Sequence, residues 1–231
     1  HRRQRQMCIR DSYHNAQHLF STHGIHVGDV RIDVTAMQAR KAQVVQQLTG
    51  GIKGLFRKNK VTFLPGTARL TGDRVVDVTD HGGATQSVSA GHVIIATGSV
   101  PVNIPVAPTD GTRVVDSEGA LAFDAVPGRL GIIGAGVIGL ELGSVWRRLG
   151  AEVVVLEAMD DFLAAADRQI ADRALKAFQS QGLDIRLGAR VTSTSVTADG
   201  AVVGYEDAEG THEERFDRVV VAVGRLSLIH I

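Results

Sequence analysis

The apolar positions of the chain follow two periods, and together these predict an α/β protein. Helical spacing, with apolar residues three and four positions apart, marks 37–56, 137–149 and 167–181. Short apolar runs of strand type occur at 61–64, 93–96, 130–133, 153–156, 185–187 and 219–223. Such runs, alternating with helices, are typical of a parallel sheet covered by helices.

The apolar side chains of the three helical segments should form their buried faces. In the first segment they are Val44, Leu48, Ile52, Leu55 and Phe56. In the second they are Val137, Ile138, Leu142, Val145, Trp146 and Leu149, and in the third Ile170, Ala174, Leu175 and Phe178. Gly50, Gly51 and Gly54 lower helix stability in the first segment, which predicts close approach of its backbone to another helix or a ligand.

Two further stretches, 67–90 and 191–216, alternate short β runs with turns and predict antiparallel meanders. Each meander is followed by an apolar strand that ends at a glycine, so the two halves of the chain share one plan. A change of composition at 126–128 predicts the boundary between them.

The segment 129–157 carries the clearest functional signal. It predicts strand, glycine turn, helix and second strand, with Gly134, Gly136 and Gly139 in the GxGxxG spacing of a dinucleotide-binding turn. Gly136 would let a diphosphate approach the backbone over the helix N-terminus. Glu157, 21 residues after Gly136, is placed to bind the ribose hydroxyls and to repel a 2′-phosphate. The pattern therefore favours NAD over NADP; the alternative is a glycine-rich turn of an ordinary α/β domain.

Composition narrows the function further. The 231 residues are 44% hydrophobic, with a formal net charge of zero, so neither a nucleic-acid partner nor a basic face is indicated. Residues 86–109 lack Asp, Glu, Lys and Arg, but three prolines argue against a membrane span. Cys8 is the single cysteine, so no disulfide can form within the chain. The aspartates at 160, 161 and 167 show no metal-ligand spacing, and no metal is expected.

The two ends differ from the rest in character. Residues 1–12 are basic and polar without an apolar period, and residues 226–231 continue no preceding element. We interpret both as foreign, or for 1–12 as disordered; an arginine-rich targeting arm is the alternative for the N-terminal stretch.

Five strings resemble segments of the flavin-dependent pyridine nucleotide-disulfide oxidoreductases, and among them the dihydrolipoyl dehydrogenases. They are LTGGIKGLFRKNKV (48–61), IIATGSVP (94–101), DSEGAL (116–121), GIIGAGVIGLELGSVWRRLGAEVVVLE (131–157) and VVVAVGR (219–225). The resemblance covers about residues 13–225. It implies two Rossmann-like dinucleotide-binding domains, three-layered with a parallel sheet and an antiparallel meander: a partial FAD-binding domain at 13–127 and an NAD-binding domain at 128–225.

The resemblance also assigns roles to single residues. NAD would be held by Gly134, Ala135, Gly136, Val137, Ile138, Gly139, Leu140, Glu141, Glu157, Val191 and Gly224. FAD would be touched by Gly66, Thr97, Gly98 and Ser99; from the residues alone, Thr97 and Gly98 are equally well a simple turn. Glu141 would in addition face the contact between flavin and nicotinamide, and otherwise would be an exposed helical glutamate.

The resemblance implies a function for a complete protein that is larger than this chain. The family's redox cysteine pair would lie upstream, and its dimerisation domain and catalytic His–Glu pair downstream, so we expect no catalytic residue and no activity in this fragment. The complete enzyme would be a cytoplasmic homodimer that oxidises the lipoyl-bearing subunits of 2-oxo-acid dehydrogenase complexes with FAD and passes hydride to NAD⁺. The alternatives are a glutathione, mercuric or transhydrogenase type of flavin reductase, or a non-catalytic NAD-binding module.

Overall fold

The computed structural model describes residues 2–229, which divide into two compact units. The first unit consists of residues up to Val44 together with Val100–Leu226, and the second of Val45–Ser99 together with 227–229. Within the described chain, no helix is both long and apolar enough to cross a membrane.

Residues 2–229 form five α-helices, one 3₁₀ helix and thirteen β-strands. The helices are α1 (Arg2–His18), α2 (Val34–Lys58), α3 (Ser117–Ala120), α4 (Val137–Leu149) and α5 (Arg168–Ser180), and the 3₁₀ helix is Phe20–His23. The strands before α4 are β1 (Thr67–Gly72), β2 (Val75–Thr79), β3 (Thr85–Ser89), β4 (Ser99–Pro101), β5 (Val114–Val115) and β6 (Arg129–Ile133). Those after it are β7 (Glu152–Leu156), β8 (Leu183–Arg186), β9 (Arg190–Thr197), β10 (Gly200–Asp207), β11 (Gly210–Phe216), β12 (Arg218–Val221) and β13 (Arg225–Ser227).

A five-stranded parallel sheet forms the centre of the first unit, in the order β5-β12-β6-β7-β8. Its middle strands β6 and β7 are buried along almost their whole length, as their uninterrupted apolar sequence predicts. The strands predicted at 130–133, 153–156, 185–187 and 219–223 are all present within one to two residues of their bounds. The mixed α/β fold expected from the sequence is confirmed.

Helix α4 covers one face of this sheet, and its sequence explains both of its ends. Gly136 is its N-cap, and Gly150 ends it in a left-handed conformation whose N–H bonds to the carbonyls of Trp146 and Arg147. Four of the predicted buried residues, Leu142, Val145, Trp146 and Leu149, are buried. Val137 is 64% exposed, contrary to the prediction, because the first turn of the helix faces a cleft instead of the core.

Helix α5 begins where its sequence predicts, since the Asp167 side chain accepts hydrogen bonds from the N–H groups of Gln169 and Ile170. Fewer of its apolar side chains are buried than the helical period predicts. Ala171 is buried, but Ile170, predicted to be buried, is 59% exposed.

An antiparallel meander of β9, β10 and β11 completes the first unit, as predicted. Glu214 of β11 joins it to the parallel sheet, because its carboxylate accepts hydrogen bonds from Arg129 of β6 at 2.6 Å and from Arg186 of β8. Partial burial acts to raise the pKa of Glu214, but the hydrogen bonds from the two arginines outweigh it and hold this pKa below its usual value.

Helix α1 packs on α4, which differs from the expectation that residues 1–12 are disordered. The buried Arg10 donates to the Ser144 hydroxyl at 3.0 Å, and Arg148 donates to Asp11 at 2.8 Å. These bonds hold the helix in place; that its first residues are foreign stays a hypothesis, and His1 lies outside the described residues. In the predicted tail at 226–231, strand β13 and a turn after it extend to residue 229. Residues 230 and 231 lie outside the described residues.

The two compact units divide the chain differently from the predicted boundary at 127/128. The reason is that β5 pairs with β12 in the parallel sheet, and Val34 and Met37 of α2 belong to the same core. Residues 100–127 are therefore part of the first unit. The division into FAD- and NAD-binding domains stays a prediction for the complete protein.

The second unit contains the predicted first meander, formed by β1, β2 and β3. The apolar strands predicted at 61–64 and 93–96 are wrong for this chain, since both segments are irregular. Phe63 is 55% and Ile94 89% exposed, because no neighbouring strand among the described residues supplies hydrogen bonds or covers them.

Helix α2 is present as predicted, but much of its apolar face is open. Leu48, Ile52 and Leu55 are exposed. The close backbone approach predicted at its three glycines is also absent within the described chain, where a Cβ added at Gly50, Gly51 or Gly54 would meet no atom within 4 Å.

Candidate functional site

A cleft of about 500 Å³ opens at the carboxyl ends of β6, β7 and β12 in the first unit. Ligands of open α/β sheets bind at such an edge, where the chain leaves the strands in loops. Most of the residues that line it lie at or just after the end of a strand, or at the start of α4. The full set is Ile104, Ile133, Gly134, Gly136, Val137, Ile138, Leu156, Glu157, Ala158, Ala189, Arg190, Val191, Ala222, Val223, Gly224 and Arg225.

The glycine turn between β6 and α4 forms the floor of the cleft. Gly134 has a φ of +104°, and a Cβ there would lie 2.7 Å from the Ala222 carbonyl oxygen. A Cβ on Gly139 would lie 2.2 Å from the Gly134 carbonyl oxygen. The chain's own backbone therefore requires both of these glycines.

Gly136 differs from the other two glycines. Its φ of −71° suits any residue, and the nearest atom to an added Cβ, the Ala222 carbonyl oxygen, would be 4.0 Å away. Packing within the chain therefore does not explain a glycine here. The position lies on the cleft, so the missing side chain leaves room for a ligand to approach the backbone.

The first turn of α4 presents free backbone donors to this space. The first α-helical hydrogen bond runs from the Leu140 N–H to the Gly136 carbonyl at 3.0 Å, so the helix does not use the N–H groups of Val137, Ile138 and Gly139. These donors and the positive end of the helix dipole favour an anion, in particular a phosphate.

Glu157 lies at the end of β7, beside the glycine turn. One carboxylate oxygen accepts the Ala135 N–H at 2.7 Å, and the other accepts the Met159 N–H at 2.9 Å. A carboxylate offers about four acceptor positions, so these bonds orient it and leave two for ligand hydroxyls.

The residues predicted to hold NAD divide into three groups. Gly134, Gly136, Val137, Ile138, Glu157, Val191 and Gly224 line the cleft. Gly139 and Leu140 are buried beneath it in α4, and Glu141, half-buried on the same helix, does not line it. Ala135 lines a neighbouring pocket of about 470 Å³, which shares Gly136, Val137 and Glu157 with the cleft and is also bounded by Met159.

Sequence reasoning missed several residues of the cleft. Ala189 and Arg190 follow β8, Ala222 and Val223 follow β12, and Ile104 comes from the proline-containing connection after β4. For Ala189 and Arg190, the position shortly after the strand predicted at 185–187 was a usable signal. Ala222 and Val223 lie at the carboxyl end of the strand predicted at 219–223, which is also an edge where ligands bind. Nothing in the local sequence indicates Ile104.

The residues predicted to touch FAD lie in or at the edge of the second unit. Gly66 has a φ of +153°, and a Cβ there would lie 2.2 Å from the Thr79 carbonyl oxygen, so backbone packing alone accounts for the glycine. Gly98 is left-handed with a φ of +79° and open surroundings, and Thr97 is exposed. Ser99 begins β4. Their role in binding FAD stays a prediction.

Comparison with known proteins decides the family. Residues 7–227 match the family described as pyridine nucleotide-disulphide oxidoreductase. The chain belongs to this family. It is 48% identical over 225 residues to a dihydrolipoyl dehydrogenase of Cupriavidus necator, covering 95% of this chain and 46% of the relative. It is 40% identical to the mitochondrial dihydrolipoyl dehydrogenase 1 of Arabidopsis thaliana, covering 92% of this chain and 42% of the relative.

Solved structures agree with the fold. LpdA from Mycobacterium tuberculosis matches with a TM-score of 0.81 at 22% identity, covering 97% of this chain and 49% of that one. The HOCl-induced flavoprotein disulfide reductase RclA from Escherichia coli, in its Cu(II) complex, matches with a TM-score of 0.72 at 27% identity, covering 94% of this chain and 46% of that one. The chain thus spans a little under half the length of these relatives.

Proposed function

We propose that the cleft binds NAD and that the chain is a fragment of a dihydrolipoyl dehydrogenase that contains the NAD-binding domain and part of the FAD-binding domain. Gly136 is the observation that carries the binding proposal, because neither its φ nor its contacts within the described residues require a glycine, and it lies on the cleft. The family and the free donors of α4 point to the same class of ligand, a dinucleotide with a diphosphate bridge.

The residues of the cleft divide the binding of NAD among them. The N–H groups at the start of α4 hold the diphosphate, and Glu157 accepts hydrogen bonds from the adenosine ribose hydroxyls. Apolar side chains such as Ile104 and Val223 keep water from the other end of the cleft. NAD⁺, when bound, supplies the acceptor for a hydride.

The relatives support a proposal for the reaction of the complete protein. We propose that it oxidises dihydrolipoyl groups carried by subunits of 2-oxo-acid dehydrogenase complexes, uses FAD as the intermediate carrier and works as a homodimer in the cytoplasm. Dithiol oxidation needs two thiols, and Cys8 is the single cysteine in this sequence. The 231-residue chain alone is therefore expected to bind NADH without turning over dihydrolipoamide.

Titration of the chain with NADH and NADPH, followed by nicotinamide fluorescence, tests the binding proposal. We expect NADH to bind more tightly by at least about tenfold, because Glu157 repels a 2′-phosphate. Tighter binding of NADPH would contradict the role of Glu157. Dihydrolipoamide-dependent reduction of NAD⁺ by the protein from the complete reading frame tests the reaction, and turnover by this chain alone would overturn the mechanism.

A different flavin reductase is the second candidate. It is favoured by the match, reported above, to RclA, which is described as a flavoprotein disulfide reductase. The complete protein should be assayed with dihydrolipoamide, glutathione disulfide and mercuric ion side by side. A much faster reaction with either of the last two would replace the dihydrolipoyl assignment.

A native mass equal to that of this chain would favour a non-catalytic NAD-binding module.

A further inference from the structure

Arg190 is a charged residue of the cleft that the proposed binding of NAD does not yet use. It is the first residue of β9, its side chain is exposed, and it lines the cleft. The cleft has two other charged residues. Both oxygens of Glu157 accept backbone hydrogen bonds, and Arg225 already has an interaction partner.

Within residues 2–229, Arg190 makes no side-chain hydrogen bond or ion pair, although Glu206 lies opposite it on β10. Its planar guanidinium is therefore open to a ligand on the cleft side. An arginine in this condition can stack on an aromatic ring or form a forked contact with a phosphate.

The order of the strands decides between these two ligand groups. The glycine turn follows β6, Glu157 follows β7, and the segment that leads to Arg190 follows β8, so the three lie in this order along the sheet edge. The backbone holds this segment against Glu157, since the Ala189 N–H donates to the Glu157 carbonyl at 2.8 Å.

A dinucleotide with its diphosphate on the glycine turn and its ribose on Glu157 must extend its base beyond β7, toward β8. There the cleft is walled by Ala158, Ala189, Arg190 and Val191. The phosphates lie on the far side of Glu157, so the base is the group that meets Arg190.

We infer that the Arg190 guanidinium stacks on the purine base of the dinucleotide and so binds its adenosine end. This inference rests on the proposed function, because it takes NAD as the occupant of the cleft. It adds a binding residue that acts on the base, independently of the ribose contact through Glu157.

The test compares Arg190→Gln with Arg173→Gln in the full chain. Arg173 is exposed on α5 and, among the described residues, has no side-chain bond, so its replacement removes the same charge away from the cleft. Binding of NADH, ADP-ribose, adenosine and the reduced nicotinamide mononucleotide is measured by NMR titration.

We expect Arg190→Gln to weaken adenosine, ADP-ribose and NADH alike, by about three- to tenfold, and to leave the nicotinamide mononucleotide unchanged. Arg190→Lys should restore part of the affinity, and Arg173→Gln should have no effect. If ADP-ribose weakens while uncharged adenosine does not, the arginine contacts a phosphate and the stacking inference is overturned.

Three further outcomes would also overturn it. If Met159→Ala weakens adenosine and Arg190→Gln does not, the base lies in the neighbouring pocket bounded by Met159. If Arg190→Gln binds all four ligands as Arg173→Gln does, the inference fails while the proposed NAD site stands. If the unmodified chain binds no NADH, the proposed function fails, and this inference with it.

Discussion

The three glycines of the turn after β6 have different reasons for being glycine, and this difference can be measured. We expect Gly136→Ala to weaken NADH binding at least about tenfold with little change in thermal stability, since its Cβ would meet no protein atom nearer than 4.0 Å. Gly139→Ala, the matched control, should instead destabilise the fold, because its Cβ would lie 2.2 Å from the Gly134 carbonyl oxygen. NADH titration and thermal unfolding of both variants check this. Equal losses of stability would contradict the ligand-based explanation of Gly136.

Glu157 is expected to act on both binding and stability. Glu157→Ala removes the ribose acceptor and also leaves the N–H groups of Ala135 and Met159 without the partners that they have in the structure. We expect a loss of NADH affinity together with about 1–3 kcal/mol of stability. Glu157→Gln keeps one acceptor oxygen and should lose less of both, while its preference for NADH over NADPH falls. An unchanged preference in Glu157→Gln would show that the charge at 157 does not select the cofactor.

At this scale the sequence predicted the position of the turn and of Glu157, because the GxGxxG spacing and the strands around it are local features. It could not separate Gly136 from Gly139, since the neighbours of a missing Cβ come from distant parts of the chain. The strand predicted at 185–187 indicated that Arg190 follows a strand, but the place of Arg190 beside Glu157 depends on the order of the strands in the sheet, which no local pattern contains.

The attachment of the meander to the parallel sheet makes a prediction about pH. The pKa of Glu214 is lowered by its hydrogen bonds to Arg186 and Arg129, against the opposing effect of burial. A carboxylate with a lowered pKa stabilises the fold above its usual pKa, and this contribution is lost as the pH falls through the lowered value. We expect Glu214→Gln to cost about 1–3 kcal/mol near pH 7.

Thermal unfolding of both proteins between neutral and acid pH measures this effect. The difference between wild type and Glu214→Gln should shrink as the pH falls below the usual range of glutamate. Glu213→Gln is the control. Glu213 lies next to Glu214 in β11, but its carboxylate has no side-chain partner among the described residues. A constant difference across the pH range would mean that the charge of Glu214 does not hold the meander.

Among the elements, those that pair with neighbours inside the chain were predicted well. Four strands of the parallel sheet, both meanders and the helices α2, α4 and α5 lie near their predicted bounds, whereas β5 and α1 were not predicted. The strands predicted at 61–64 and 93–96 are absent. An apolar sequence forms a strand only where a neighbouring strand can pair with it, and no described residues pair with these segments as a strand. The prediction that Val137 and Ile170 are buried was wrong. The period of apolar residues indicates which face of a helix packs on the core, but not how far along the helix the core extends.

For the molecule as a whole, the exposed apolar segments of the second unit predict self-association. Val61 and Phe63 lie in one segment and Ile94 and Ile95 in the other, and all four side chains are exposed. Apolar side chains beside unpaired backbone form contacts between copies of a chain. We therefore expect self-association of the chain to increase with its concentration, and the folded chain to bind a hydrophobic dye.

Replacement of a single exposed side chain separates this cause from general instability. Ile94→Lys should lower both light scattering and dye binding, because Ile94 is 89% exposed and the change adds a charge to the apolar segment without removing a core contact. Ile170→Lys, at an exposed isoleucine of α5 in the first unit, is the matched control and should change neither. The affinity for NADH should stay the same in both variants, because neither position lines the cleft. If Ile170→Lys lowers aggregation as much as Ile94→Lys does, net charge is the cause, and the open segments of the second unit are not.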